Sequence, residues 1–286
     1  MGKDKETVSG TLYIAATPIG NLEDITLRCL RILKEVDLIA AEDTRHTRKL
    51  LTHFNISTPL ISYYREKEVQ RSTQLVERLV EGESIALVSD AGTPGISDPG
   101  AVLVARARGA GINVVPLPGA SALTTALSVS GLTHPHFLFL GFAPSKKSQR
   151  RSLLTSLKNS PWPLVFYESP RRIQNLLSDI LKILGDRQGF WARELTKAFE
   201  DLKSYKVSTL LELTTSKKSR GEFVLIIEPD KDKEVCAEGK NLQELLLWYR
   251  DNTDMTLKDV SRKLADDLGL SRSSVYQQAL DIYQRK

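Results

Sequence analysis

Ser84-Ile85-Ala86-Leu87-Val88-Ser89-Asp90-Ala91-Gly92-Thr93-Pro94-Gly95-Ile96-Ser97-Asp98-Pro99-Gly100 is the stretch on which the architecture turns. Its first part is a short apolar run, the pattern of a strand buried on both faces. Gly92 and Gly95 permit positive φ, and Pro94 and Pro99 restrict the path between them. Pro99 then opens a helix that runs to Gly109. A strand, a rigid permissive loop and a helix in that order make half of a parallel α/β unit. Asp90 and Asp98 fall at the strand end, where a carboxylate can hold ribose hydroxyls or an amino group. The loop is not a P-loop, because no Gly-Lys-Ser/Thr follows, and it is not G-x-G-x-x-G. An ordinary tight strand-to-helix connection is the alternative, and it needs fewer special residues.

The same alternation extends to either side. Strands are predicted at 11–16, 37–43, 59–64, 84–90 and 112–119, with helices at 25–36, 44–54, 66–81 and 99–109 between them. That is a parallel sheet covered on both faces, with its functional loops at the carboxyl ends of the strands. Thr17-Pro18-Ile19-Gly20-Asn21-Leu22 and Pro118-Gly119-Ala120-Ser121-Ala122 are further turn-rich loops on that edge. Their common position predicts one crevice. A second, less regular unit carries strands at 136–142, 163–169, 189–195 and 221–229 and predicts a mixed sheet. Lys231–Lys240, charged and poor in apolar residues, reads as a linker, and 241–286 as helical throughout. The predicted division is two α/β domains, 10–118 and 119–230, and a C-terminal helical domain, 241–286.

At 286 residues the chain exceeds one average domain of ~100–200 residues. Charged residues are 26% and hydrophobic residues 41%, which excludes general disorder. No apolar run is long enough to span a bilayer, and MGKDKETVSG has no apolar export core, so a cytoplasmic location is expected. Two cysteines, Cys29 and Cys236, rule out a disulfide scaffold. The four histidines have no metal-ligand spacing, so no metal is expected. The net charge is +5, yet residues 144–222 hold 16 Lys+Arg against 8 Asp+Glu. A basic middle third suggests a face that meets a phosphate backbone, or else a lysine-rich solvated surface. Residues 241–286 hold 7 of each sign, although Ala265, Gly269 and Val275 have helix-turn-helix spacing and Ser271 can cap the second helix.

Glu42, Asp43, Thr44, Arg45 and His46 crowd the end of the second strand. Asp43 or Thr44 can cap the next helix, while Arg45 there opposes the helix dipole, a conflict that an anionic ligand would relieve. Ser169-Pro170-Arg171-Arg172 repeats the pattern, with both arginines read into the first helical turn. Lys146, Lys147, Arg150 and Arg151 read as a mobile basic loop.

These motifs together resemble the tetrapyrrole-methylase-like group of S-adenosylmethionine-dependent methyltransferases, and most closely its ribosomal RNA small-subunit methyltransferase I branch. The resemblance runs from Leu12 to the C-terminal helices and rests on TPIGNLEDIT, AEDTR, SDAGTPGISDPG, PLPGASA, FYESPRR, ARELTK and GEFVLII. It implies two α/β domains with S-adenosyl-L-methionine in the cleft between them, a homodimer, and 2′-O-methylation of a cytidine ribose near the decoding centre. The implied partner is small-subunit ribosomal RNA or the assembled subunit. By motif position, Pro18, Asp90, Ala91, Gly92, Thr93, Ile96, Ser121 and Ala122 would line the cofactor pocket from the first domain. Tyr167, Leu195, Gly221 and Glu222 would close it from the second. Glu42, Asp43, Thr44 and Arg45 would face the RNA.

Glu42 and Asp43 are the candidate bases, with Glu168 and Glu194 behind them. Arg45, Arg193 and Lys197 are candidates to stabilise the developing alkoxide or grip phosphates. His46, Lys146, Lys147, Arg150, Arg171 and Arg172 complete the expected substrate contacts. ARELTK has a structural alternative, with Glu194 and Lys197 bridging each other. Two positions depart from the branch. Ala120 stands where proline is common, and Tyr63-Tyr64-Arg65-Glu66-Lys67-Glu68 replaces a histidine-containing stretch, so no histidine role carries over there. The rival readings are a methyltransferase acting on a tetrapyrrole such as a precorrin, and a non-enzymatic nucleic-acid-binding regulator using the C-terminal helices.

Overall fold

In the computed structural model, residues 9–216, 221–268 and 270–284 are described. The charged amino-terminal segment and Gly269 lie outside them. The first unit runs β1 (Thr11–Ala15), α1 (Leu27–Glu35), β2 (Leu38–Ala41), α2 (Thr44–His53), β3 (Leu60–Ser62), α3 (Glu68–Val80), β4 (Ile85–Val88), α4 (Ala101–Gly109) and β5 (Asn113–Leu117). Its sheet has the order β3-β2-β4-β1-β5. Every neighbouring pair is parallel. The strands are short and apolar because both faces are covered. One core gathers Leu33, Ile39, Ala86 and Leu117 on one side. Another gathers Leu12, Tyr63, Leu87 and Leu103 on the other.

α5 (Ala122–Val129), to which the sequence reading assigned nothing, leads into the second unit. There follow β6 (Leu138–Phe142), α6 (Lys147–Ser156), β7 (Leu164–Glu168), α7 (Ile173–Leu184), β8 (Gln188–Arg193), β9 (Asp201–Lys206), α8 (Val207–Ser216) and β10 (Phe223–Ile227). The sheet order is β6-β7-β10-β8-β9. Only β6–β7 is parallel and the remaining pairs are antiparallel, so the sheet is mixed as expected. β9 was missed because DLKSYK is a mostly exposed edge strand without a buried alternation.

The two units share a core. Ile19 from the loop after β1 and Ala126 of α5 pack with Val165, Phe190, Ala192, Leu195, Val224 and Ile226 of the second sheet.

The stretch read as a linker is helical. Lys231–Lys240 forms the start of α9 (Lys231–Asn252), since Lys, Glu and Ala favour helix whether or not they bury a face. α10 (Leu257–Leu268) and α11 (Arg272–Gln284) follow. Leu242, Leu246, Val260, Leu264, Ala265, Val275 and Ala279 form a core confined to these helices. Ser271 caps α11, its hydroxyl accepting from Ser274 N at 3.2 Å.

Candidate active site

Because the first sheet is all parallel, the loops after β1, β2, β4 and β5 leave from one edge. Hydrogen bonds then fasten three of them together. Thr17 N donates to Gly92 O at 3.0 Å and Gly92 N donates to Thr17 O at 2.9 Å. The Thr17 hydroxyl donates to Ser89 O at 3.1 Å, and the Thr93 hydroxyl to Ala120 O at 3.1 Å. Gly92 sits at φ +79°, where a side chain is strained, so glycine is required for the bridge to Thr17 to form. The predicted convergence of the turn-rich loops is present.

The opposite wall is a row of neighbours across the second sheet. Phe142 pairs with Tyr167, Tyr167 with Val224, and Val224 with Ala192. All four line a cleft of about 380 Å³ between the units. The row one step along, Phe166, Leu225 and Trp191, faces the core on the sheet's other side. This is the period of two along each strand, summed over four strands. The Tyr167 hydroxyl closes the wall by accepting from Leu123 N at the start of α5, at 3.0 Å.

Asp90, Ala91, Gly92, Thr93, Ile96, Ser121, Ala122, Tyr167, Leu195 and Glu222 all line this cleft. Pro18 does not. It lines a second hollow of about 510 Å³ on the other side of Ile19. Gly221 stands behind the wall, where a Cβ would lie 2.2 Å from the Glu194 side chain, so only glycine lets that carboxylate pass. Ser97, Asp98, Phe142, Glu168, Ser169 and Val224 also line the cleft, and of these the sequence had given only the two carboxylates a possible part in the site's chemistry. Sheet register decides the rest, and no local spacing encodes it.

The cleft is acidic. Glu42, Asp90, Asp98, Glu168 and Glu222 contribute carboxylates against one lysine, Lys197. Burial, then the charge of Asp98, raises the Glu42 pKa above its ordinary value. Burial does the same to Asp98 and to Glu168. Glu168 is buried. One of its oxygens accepts from Ser169 N at 2.8 Å and lies 3.2 Å from Arg172 Nε, while Oε2 has no hydrogen-bond partner among the described residues. Asp90 bonds the neighbouring loop, accepting from Asp43 N at 3.0 Å.

Glu42 and Asp43, equal candidates in the sequence, separate here. Asp43 is the cap of α2, accepting from Arg45 N at 2.8 Å. The Arg45 guanidinium grips the same carboxylate at 3.1 and 2.7 Å and holds its pKa far below the usual range. The dipole conflict expected at Arg45 is thus relieved by the cap itself rather than requiring an external anion. Thr44 and His46 occupy the same helix start, and His46 lines the second hollow.

Several cations lie elsewhere than expected. The basic stretch read as a mobile loop is α6, with Lys146 at its start. Arg150 is buried in it and cannot reach a substrate. Its guanidinium lies 2.7 Å from Asp179, which also pairs with Arg151 at 2.7 Å. Arg171 and Arg172 precede α7 rather than occupying its first turn. Arg172 bonds the carbonyl of Ala143 and neutralises Glu168, a structural task. Arg193 pairs with Asp201 at 3.2 Å. Lys197 bridges Glu194 at 2.8 Å and Glu222 at 3.3 Å, as the structural alternative for ARELTK required. Burial raises the Glu194 carboxyl, but the hydrogen bonds from Lys197 and Glu222 N and the charges of Lys197 and Arg193 together outweigh it and the pKa is lowered. Lys146, Lys147 and Arg171 remain exposed. The substituted stretch after β3 is structural in part. Glu68 accepts from Gly100 N at 2.8 Å, and the buried Tyr63 hydroxyl lies 2.9 Å from Ser72.

Residues 11–211 match the family of tetrapyrrole (corrin/porphyrin) methylases. In fold the chain is similar to uroporphyrin III C-methyl transferase from Thermus thermophilus. That likeness has a TM-score of 0.55 at 18% identity and covers 77% of this chain and 97% of that one. In sequence it is 48% identical over 272 residues to ribosomal RNA small subunit methyltransferase I of Xylella fastidiosa (strain Temecula1), covering 93% of this chain and 98% of that one. The protein of the same name from Escherichia coli O157:H7 is 45% identical over 275 residues, 95% of each. Matches of this extent place the chain in the ribosomal RNA small subunit methyltransferase I family, within the tetrapyrrole methylases.

Proposed function

We propose that the protein transfers a methyl group from S-adenosyl-L-methionine to the 2′-oxygen of a cytidine ribose in small-subunit ribosomal RNA, near the decoding centre. The observation that carries the cofactor assignment is the charge of the cleft. Five carboxylates face one lysine across an apolar floor, which suits a cationic nucleoside and opposes an anionic dinucleotide. Its volume of about 380 Å³ is that of a small-molecule site. Glu168 Oε2 and the buried Ser97 hydroxyl, without hydrogen-bond partners among the described residues, are polar atoms such a ligand would satisfy. Asp90, Asp98, Ser97 and Ser121 would hold its polar groups, and Ile96, Phe142, Tyr167, Leu195 and Val224 its flat apolar part.

When bound, the sulfonium supplies an electrophilic methyl group. The chain's residues do the rest. The converging loops and the Phe142–Ala192 row exclude water and fix the approach line of the ribose oxygen. Glu42 takes the proton of the 2′-hydroxyl. It lines the cleft half-buried, and its raised pKa brings it closer to that task than an ordinary carboxylate. Asp43, Glu168 and Glu194 are each held by a cation in an ion pair, which removes them from that role. Exposed Lys146, Lys147 and Arg171 grip phosphates of the RNA, while Arg45 is committed to Asp43.

The relatives' names support ribosomal RNA as substrate. The homodimer belongs to the same reading, supported by the largely exposed Phe199 beside edge strand β9. So does the cytoplasmic site of action. Among the described residues no helix is long and apolar enough to cross a membrane. The test is methyl transfer from labelled S-adenosylmethionine to naked small-subunit RNA and to assembled subunits, followed by mapping of the modified ribose. Absence of cofactor binding by calorimetry would overturn the assignment, and transfer to a precorrin in place of RNA would redirect it.

A further inference from the structure

The second hollow is not needed to hold the methyl donor, and its chemistry differs from that of the cleft. It lies between the Thr17–Leu22 loop and one face of α2 and meets the cleft at Ile19, Asp90 and Glu222. Leu22 and Leu50 supply apolar surface. Thr47 lines it, is 2% exposed, and carries a buried hydroxyl with no hydrogen-bond partner among the described residues. A buried hydroxyl left unpaired is destabilising unless a ligand or water satisfies it. Lys49, one helical turn on from His46, is exposed with it at the rim. Lys197 also borders the hollow but is committed to Glu194 and Glu222, so Lys49 is the cation available to an incoming anion.

We propose that this hollow seats the target nucleotide itself, swung out of its strand. The base lies between Leu22 and Leu50 with an edge on Thr47, and a flanking phosphate rests on Lys49. The inference rests on the RNA methylation reading and adds where, and by which groups, the nucleotide is held. Enzymes that act on one nucleotide of a structured nucleic acid commonly extrude it into such a pocket. The volume of about 510 Å³ admits a single nucleotide. Asp90 and Glu222 at the junction are acceptors for the hydroxyls of the ribose. The ribose then falls at the junction of the two hollows. Glu42 stands there, its Oε2 accepting from Asp90 N at 3.4 Å, facing the cleft from the residue that borders both spaces.

The test is binding of free cytidine 5′-monophosphate, uridine 5′-monophosphate and cytidine to the full chain saturated with S-adenosylhomocysteine, by calorimetry or ligand-observed NMR. The proteins compared are wild type, Thr47→Val and Lys49→Ala. The cytidine nucleotide should bind without displacing the cofactor product, and the uridine nucleotide no more tightly than it. Lys49→Ala should weaken the cytidine nucleotide about tenfold and cytidine hardly at all, whereas Thr47→Val should weaken both about threefold to tenfold. Competition with the cofactor product, no saturable binding, or wild-type affinity in both variants overturns the proposal. Transfer to small subunits is assayed alongside. Wild-type transfer that both variants retain rejects the hollow and leaves the methylation reading standing. The predicted nucleotide binding without transfer to any RNA rejects that reading and keeps the hollow as a nucleotide site.

Discussion

Glu42 and Asp43 differ by one position and occupy opposite environments. Asp43 is spent on the α2 cap and on Arg45. Glu42 is turned into the cleft, where burial and Asp98 hold its pKa up. A base must be ionised to accept a proton. The transfer rate should therefore rise with pH from the ordinary Glu value of about 4.3 to above it. Glu42→Gln should lower kcat by about 10²–10⁴-fold, far more than it weakens cofactor binding, and its residual rate should be flat across that window. Undiminished kcat in this variant would remove Glu42 from the mechanism. The stability effect has the opposite sign. A carboxyl whose folded pKa is raised favours the folded state at low pH, and that contribution is lost as pH rises through the raised value. Glu42→Gln should thus melt at or above the wild-type temperature at pH 8 by calorimetry, a gain bought by lost function. Asp43→Ala should instead lower the melting temperature, because it removes a helix cap.

At the scale of elements, α6 and α7 are joined through one carboxylate. Asp179 is buried and takes Arg150 Nε at 2.9 Å and Arg151 Nε at 2.7 Å. Burial alone would raise its pKa, yet the hydrogen bonds from Arg151 and Arg150 outweigh burial and lower it. Its contribution is therefore complete above the ordinary Asp value of about 3.9 and is lost as pH falls below that value. Asp179→Asn leaves Arg150 buried beside a neutral partner and should cost about 3–5 kcal/mol, read by urea unfolding at pH 7. A loss near zero would mean the pair is solvated. This pair also marks a limit of the sequence. Lys146 to Arg151 looks like a basic loop because charge pattern carries no information about a partner 28 residues away. The strands of the first sheet were legible since each is a short apolar run between turn residues. β9 was not, because an exposed edge strand needs no apolar face. The converging loops were legible from shared topology, but the Phe142–Tyr167–Val224–Ala192 wall needed the register of four strands.

The whole molecule divides unevenly. The two sheets share a core through Ile19, Ala126 and Val224, and the cleft lies on that seam. The C-terminal helices close their own core from Leu242 to Ala279. Removing residues 231–286 should then leave cofactor affinity within about twofold of the full chain by calorimetry, since a distant independent unit couples weakly to the site. Loss of cofactor binding in the shortened chain would show that the helices brace the cleft. Charge gives a second, sharper expectation for RNA. Residues 241–286 carry 7 Lys+Arg and 7 Asp+Glu, whereas 144–222 carry 16 and 8. The salt dependence of RNA affinity counts the phosphates neutralised, with a slope of about −0.7 per contact on single strands. A neutral appendage neutralises few, so the slope of log K against log salt should be nearly the same with and without it. The triple substitution Lys146→Gln, Lys147→Gln, Arg171→Gln should reduce the slope by about two. If truncation flattens the slope and the triple substitution does not, the RNA is held by the helical unit, and Lys146, Lys147 and Arg171 are merely solvated surface.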